Sequence, residues 1–287
     1  DDDSALPTAI KSFVFANGTP ITISSSVPDG ATLETFSSFT ATGNSAYISW
    51  NDGGTIKYIG VNDQVSVYGG GNGTVTPVTI NSTNTTMTGG RIKYLYGGNY
   101  GANNSNKESL SKVTGDVVMN ISGTADVAWL LHGGGSNNTC VEGTVYMNFT
   151  NVDLSDQSDY LYVNGGVYGN GKEGSRDIEN GEMNTFAVAN NVVITATDSK
   201  FALFGVGGSG STKVINGSVT LNDCTVDTIF FSGINGEVVN SYLELNDCDI
   251  NIFSATNRGF VGDAIADINS TNIDTLESGA TSGCFSS

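Results

Sequence analysis

Basic side chains are what this sequence most lacks: 11 Lys and Arg stand against 29 Asp and Glu, a net charge of −18. Phosphate binding needs clustered Lys and Arg, so the balance argues against nucleic acid as a partner and disfavours an anionic membrane surface. Histidine is nearly absent. His132 is the only one, so Ser-His-Asp or Cys-His chemistry would have to run through it. The 4 cysteines form no C-x-x-C pair and no Cys/His cluster, which argues against a zinc site. No apolar run approaches the length of about 18 residues that a membrane-spanning helix takes. The opening DDDSALPTAI has none of the basic start of a secretory leader. Neither membrane insertion of this domain nor a cofactor is expected. Proline is scarce (4) while glycine is abundant (38). With many Asn, Ser and Thr, that mix starves helices and suits short strands joined by tight turns. An acidic, Lys-poor, Asn/Thr/Gly-rich chain fits an extracellular or cell-surface bacterial protein.

What is present is a repeat. The pattern apolar-x-apolar-Asn-x-(Ser/Thr/Cys) gives VTINST, VVMNIS, VYMNFT, VTLNDC, LELNDC and ADINST, with VVITAT as a weaker copy. Two polar ladders are expected from it. One runs through Asn81, Asn120, Asn148, Thr195, Asn222, Asn246 and Asn269. The other runs two residues on, through Thr83, Ser122, Thr150, Thr197, Cys224, Cys248 and Thr271. A short apolar strand ending in glycines follows each copy: VSVYGGG, IKYLYGGN, VAWLLHGGG, LYVNGGVYG, FALFGVGG and IFFSGING. Alternating strands and glycine turns without a helical period predict an all-β chain. A repeat near 24 residues with insertions at one corner predicts a solenoid of about seven stacked coils, spaced about 4.8 Å apart. Asn side chains at equivalent turns would then hydrogen-bond from coil to coil.

These residues resemble the right-handed parallel β-helix, the pectin-lyase-like architecture. The V-x-G-x-V-x-(L/M)-N strands and YGGG turns are similar to repeats in surface proteins of Gram-positive and gut bacteria. The likeness implies a parallel β-helix over residues 56–276. Residues 1–55 depart from the repeat and read as an N-terminal β cap over the first edge. Residues 277–287 read as a polar tail.

The chemistry-bearing residues are few. Cys224 and Cys248 sit at equivalent places in consecutive repeats, about 5 Å apart if the coils stack, within disulfide reach. Two buried thiols or a bridge are both open readings; Cys140 and Cys284 lie far apart and are not expected to pair. HGGG at His132 matches the YGGG turns elsewhere, so the repeat accounts for it without catalysis. Enzymes similar to this fold mostly cleave acidic polysaccharides with a basic residue, helped by Ca²⁺ or arginines. This chain has three arginines, scattered at Arg91, Arg176 and Arg258, and its charge repels polyanions. Corner acids Asp153, Asp156, Asp159, Glu173, Asp177, Glu179 and Glu182 leave open a carboxylate pair for neutral glycans, but nothing pairs two of them. No catalytic or metal residue is assigned.

The aromatic pattern is more informative. Val67, Leu95, Leu131 and Val163 are predicted to face inward. Their neighbours Tyr68, Tyr94, Tyr96, His132 and Tyr162, flanked by Tyr100 and Tyr168, would form an outward stripe suited to binding sugar or protein. The competing reading folds insertions over this face, so that the tyrosines cover a satellite core. The expectation is a non-catalytic extracellular module, an adhesin or stalk domain whose partner is a glycan or host surface protein. The alternative is a glycan-active enzyme, a glycoside hydrolase or lyase, on a β-helix scaffold. A virion fibre is a third option.

Overall fold

The computed structural model describes residues 12–15, 18–34, 45–103, 109–156, 161–169, 178–179, 182–183, 187–210, 212–233, 236–256 and 259–277. These residues are almost all strand, with no α-helix among them. The pairing is overwhelmingly parallel, and each partner lies one repeat along the chain. Ile21 pairs with Thr85, Thr85 with Met119, Met119 with Met147, Met147 with Ile194, Ile194 with Val219, Val219 with Leu243 and Leu243 with Ala266. A second series runs Phe13, Val67, Leu95, Leu131, Val163, Phe204, Ile229, Phe253 and Leu276. The inward prediction holds: Val67, Leu95, Leu131 and Val163 all lie in the core. So do Phe149, Phe201 and Phe204, whose rings meet edge to face at 4.9–6.5 Å.

The N-terminal residues join these series. Ser12–Val14 pairs in parallel with Ser66–Tyr68, and Ile21–Ser24 with Thr83–Tyr96. The antiparallel hairpin Ala46–Asp52/Thr55–Val61 then pairs along Ile21–Ser24. At the other end, nothing among the described residues pairs on the far side of Phe260–Asn269 and Asn272–Glu277. Their core-side residues Ile268 and Leu276 are 45% and 62% exposed.

The expected Asn ladder is real but its register differs. Asn120, Asn148 and Thr195 do align, yet Thr195 continues to Thr220, while Asn222 aligns with Thr197. Asn120 pairs with Thr86, so Asn81 lies outside the row. The physical reason is the turn, not the motif. Asn151, Asp198, Asp223, Asp247 and Ser270 all adopt φ between 49° and 53°. This left-handed bend, which Asn and Asp tolerate, sets the alignment. The residue before it lies above its counterpart, so Thr150, Thr197, Asn222, Asn246 and Asn269 form one row. Ser199, Cys224, Cys248 and Thr271 form the row just after the bend, not Thr197 and Cys224 as expected; backbone bonds link Thr225 to Ser199, Asp249 to Cys224 and Asn272 to Cys248.

Seven side-chain amide bonds of 2.7–3.0 Å join consecutive repeats: Asn148 to Asn120, Asn216 to Asn191, Asn240 to Asn216, Asn246 to Asn222, Asn251 to Asp227, Asn269 to Asn246 and Asn272 to Asp249. In every one the later residue donates and the earlier accepts.

Candidate functional site

The aromatic stripe divides into two rows with different fates. In the outer row Ser66, Tyr94, Leu130 and Tyr162 stand in register, each partly exposed. Trp129 joins them. The pairing of Val117–His132 with Thr83–Tyr96 slips between Val127 and Leu130. Such an irregularity re-aims a side chain, and Trp129 stands 50% exposed. Lys93 bridges the rings: its Nζ lies 5.1 Å from the centre of Tyr94 and 5.8 Å from that of Trp129. An Arg91–Asp126 ion pair lies on the same two strands. Sequence reasoning missed Trp129 because strict alternation does not apply across a slip. The signal was there in VAWLLH, where three large apolar residues in a row break the two-residue period.

The inner row, expected outward, is buried. Tyr68, Tyr96 and His132 are 6%, 3% and 0% exposed. The cover is a further short parallel series, in which Asn72 pairs with Tyr100, Tyr100 with Ser136, Ser136 with Tyr168 and Tyr168 with Ser209. Glycine permits this immediate fold-back. A Cβ on Gly97 would sit 2.3 Å from the Gly133 oxygen, and one on Gly133 would sit 2.5 Å from the Gly165 oxygen. The rings pack closely. Tyr68 stacks on Tyr96 at 4.7 Å and on Tyr100 at 4.5 Å, Tyr96 on His132 at 5.9 Å, and Tyr168 meets His132 edge-on at 5.4 Å. Tyr100 and Tyr168, at the rim, stay partly exposed. The stripe is therefore a platform of Tyr94, Trp129 and Tyr162 resting beside a buried aromatic layer.

Burial sets the titration of that layer. It raises the Tyr68 and Tyr96 phenols well above their ordinary value, with neighbouring tyrosines adding to the effect and the nearby Ser136 side chain opposing it. Burial pushes the His132 imidazole down to about 3, with the Gly166 backbone acting weakly in the other direction. That backbone falls short of hydrogen-bond geometry, and neither ring nitrogen has a partner. His132 is thus a neutral packing ring at neutral pH, with no carboxylate orienting it and no hydroxyl or thiol bonded to it.

Cys224 and Cys248 are free, buried thiols. Each thiol donates to a backbone carbonyl at 3.2 Å, Cys224 to Asn222 and Cys248 to Asn246, and the neighbourhood of the two thiols eases ionisation of Cys248 and opposes that of Cys224. Cys140 is also free, and burial pushes its thiol up to about 11. Of the corner acids, Asp153 accepts bonds from the Ser155 amide and hydroxyl and faces Lys200 at 3.6 Å. The Ser155 hydroxyl is the main cause holding its carboxyl below the usual range. Asp156 is exposed. Glu179 and Glu182 sit opposite each other on a short antiparallel pair. Asp159, Glu173, Asp177, Arg176, Arg258 and Cys284 lie outside the described residues. Among the described residues no three His, Cys, Asp or Glu side chains converge as metal ligands, and no helix is long and apolar enough to cross a membrane.

No family model, curated protein or solved structure matches this chain.

Proposed function

We propose that the chain is a non-catalytic extracellular surface module, an adhesin domain that binds glycan on the Tyr94–Trp129–Tyr162 platform. The scaffold in this reading is a right-handed parallel β-helix of about seven coils, each in-register repeat forming one coil. The observation that carries the function is Trp129, held half-exposed beside Tyr94 and Tyr162 with Lys93 across two of the rings. Flat aromatic faces with an apolar body suit the CH faces of a pyranose, and a row of them on a rigid sheet costs little ordering on binding. Of the exposed rings, Tyr94 meets buried Tyr96 at 6.3 Å, and Tyr96 in turn stacks on His132, which helps keep this part of the platform preorganised.

The test is a glycan-array screen followed by titration and product analysis. Binding without cleavage is expected, weakened at least tenfold by Trp129→Ala and by Tyr162→Ala. Appearance of shorter sugars would favour the glycan-active alternative, and retention of full affinity in both variants would remove the platform from consideration.

A further inference from the structure

A second feature lies away from the platform. Where Ala187–Thr197, Thr212–Asn222, Glu237–Asn246 and Phe260–Asn269 turn a corner, their outer faces enclose a trough of about 480 Å³. Its floor includes Val193, Tyr242 and Ile265, and its rim is the row Asn191, Asn216, Asn240, Asp263. The volume suits a saccharide-sized ligand.

The rim carries a chemical mismatch. Asn216 donates to Asn191 and Asn240 donates to Asn216, at 3.0 and 2.9 Å. The next residue must donate to Asn240 Oδ1 to continue the series. That residue is Asp263. An ionised carboxylate has no proton to give. At Asp227 and Asp249 Asp stands on the accepting side of its row. Asp263 occupies a donor's place and makes no hydrogen bond or ion pair to a described residue; the register gives Asp274 the corresponding place beyond Asn251, but away from the trough. Two acceptors, one of them charged, therefore face one another on the rim of a trough with an aromatic floor.

We propose that this trough is a subsite for an amino sugar of a glycan, with its ammonium group bound between Asn240 Oδ1 and the Asp263 carboxylate. An ammonium has three donors and no acceptor, which answers the mismatch, and it is drawn to a chain of net charge −18. The sugar's CH face lies on Tyr242 and Ile265. Each rim carboxamide keeps at least one N–H and one lone pair beyond its row bonds, free to meet ring hydroxyls. Tyr242 is held in place by its 2.7 Å bond to Asp267. The inference rests on the glycan-binding reading above but uses none of its residues.

The test titrates the purified chain with a glucosamine tetrasaccharide and with its fully N-acetylated counterpart at pH 6. The free-amine oligomer should bind at least tenfold more tightly. Asp263→Asn should abolish the preference while leaving the melting temperature equal or higher, because the carboxamide it introduces donates to Asn240 Oδ1. Asp274→Asn, which removes a charge elsewhere on the last repeat, should keep the preference. Equal affinity for the two oligomers, no binding of either, or a preference that survives Asp263→Asn overturns the subsite. If Trp129→Ala abolishes binding and Asp263→Asn does not touch the preference, the subsite falls and the platform stands. If the preference vanishes only with Asp263→Asn, and Trp129→Ala changes nothing, the subsite stands and the platform falls.

Discussion

His132 shows how completely environment decides what a residue is. As the single histidine it is the residue that Ser-His-Asp or Cys-His chemistry would need, yet the fold uses it as a ring between Tyr96 and Tyr168. Its folded pKa of about 3 lies below the ordinary 6.5. As pH falls through 6.5 the unfolded chain takes up a proton that the folded chain refuses, so stability declines until about pH 3. The shift corresponds to a loss on the order of 5 kcal/mol across that window. Carboxylates titrate there too, so the informative quantity is a difference. In His132→Phe the fall in unfolding free energy between pH 6.5 and pH 4 should be smaller by a few kcal/mol, read by denaturant melts at each pH. Identical pH slopes in the two proteins would mean the imidazole finds a proton partner. The inner row follows the competing reading of the sequence, in which further chain folds over this face; which residues do the covering was not legible, because Tyr100, Ser136 and Tyr168 follow the glycines, outside the strand pattern from which facing was read.

At the scale of the strand and turn, glycine is the decisive element. Gly97, Gly133 and Gly165 each lie against the next turn's backbone, and their amides donate across at 2.9–3.1 Å. A methyl group at Gly133 would meet the Gly165 oxygen and Val145 at 2.5 Å and Met147 at 2.7 Å. Gly133→Ala should therefore destabilise by about 1–3 kcal/mol, while Val75→Ala, at a side chain 95% exposed, should leave the melting temperature unchanged within a degree or so. Much of this level was legible beforehand. The apolar alternation placed Val67, Leu95, Leu131 and Val163 inward, and the glycines marked the turns. Two things were not. The register of the Asn rows is set by backbone torsions at Asn151, Asp198 and Asp223, and a motif search aligns letters, not torsions. Trp129 is turned out by a slip in pairing that depends on the neighbouring strand's length.

At the scale of the molecule, the described strands pair in parallel from repeat to repeat, and the two ends of that series differ. The antiparallel hairpin lies along one end. The other presents Ile268 and Leu276 on the core side. A hydrophobic dye should bind there, and Ile268→Lys with Leu276→Lys should cut its fluorescence severalfold while shifting the melting temperature by only a few degrees. Undiminished fluorescence would place the dye elsewhere. Function at this scale was the least legible part. The in-register repeats explain nearly every recurring residue, so both proposed sites rest on departures from them, at Trp129 and at Asp263.

The seven bonds of the Asn rows all point the same way, and that gives the molecule a vector as well as a shape. In the rows made of Asn at both termini, one terminus is a donor and the other an acceptor, like the unlike faces of a coin. Two copies brought together at their Asn269–Asn272 ends would set lone pair against lone pair. Meeting in the opposite sense, donor would meet acceptor. The amide rows thus act as a compass for anything that extends the stack, favouring head-to-tail order over mirror-like encounters.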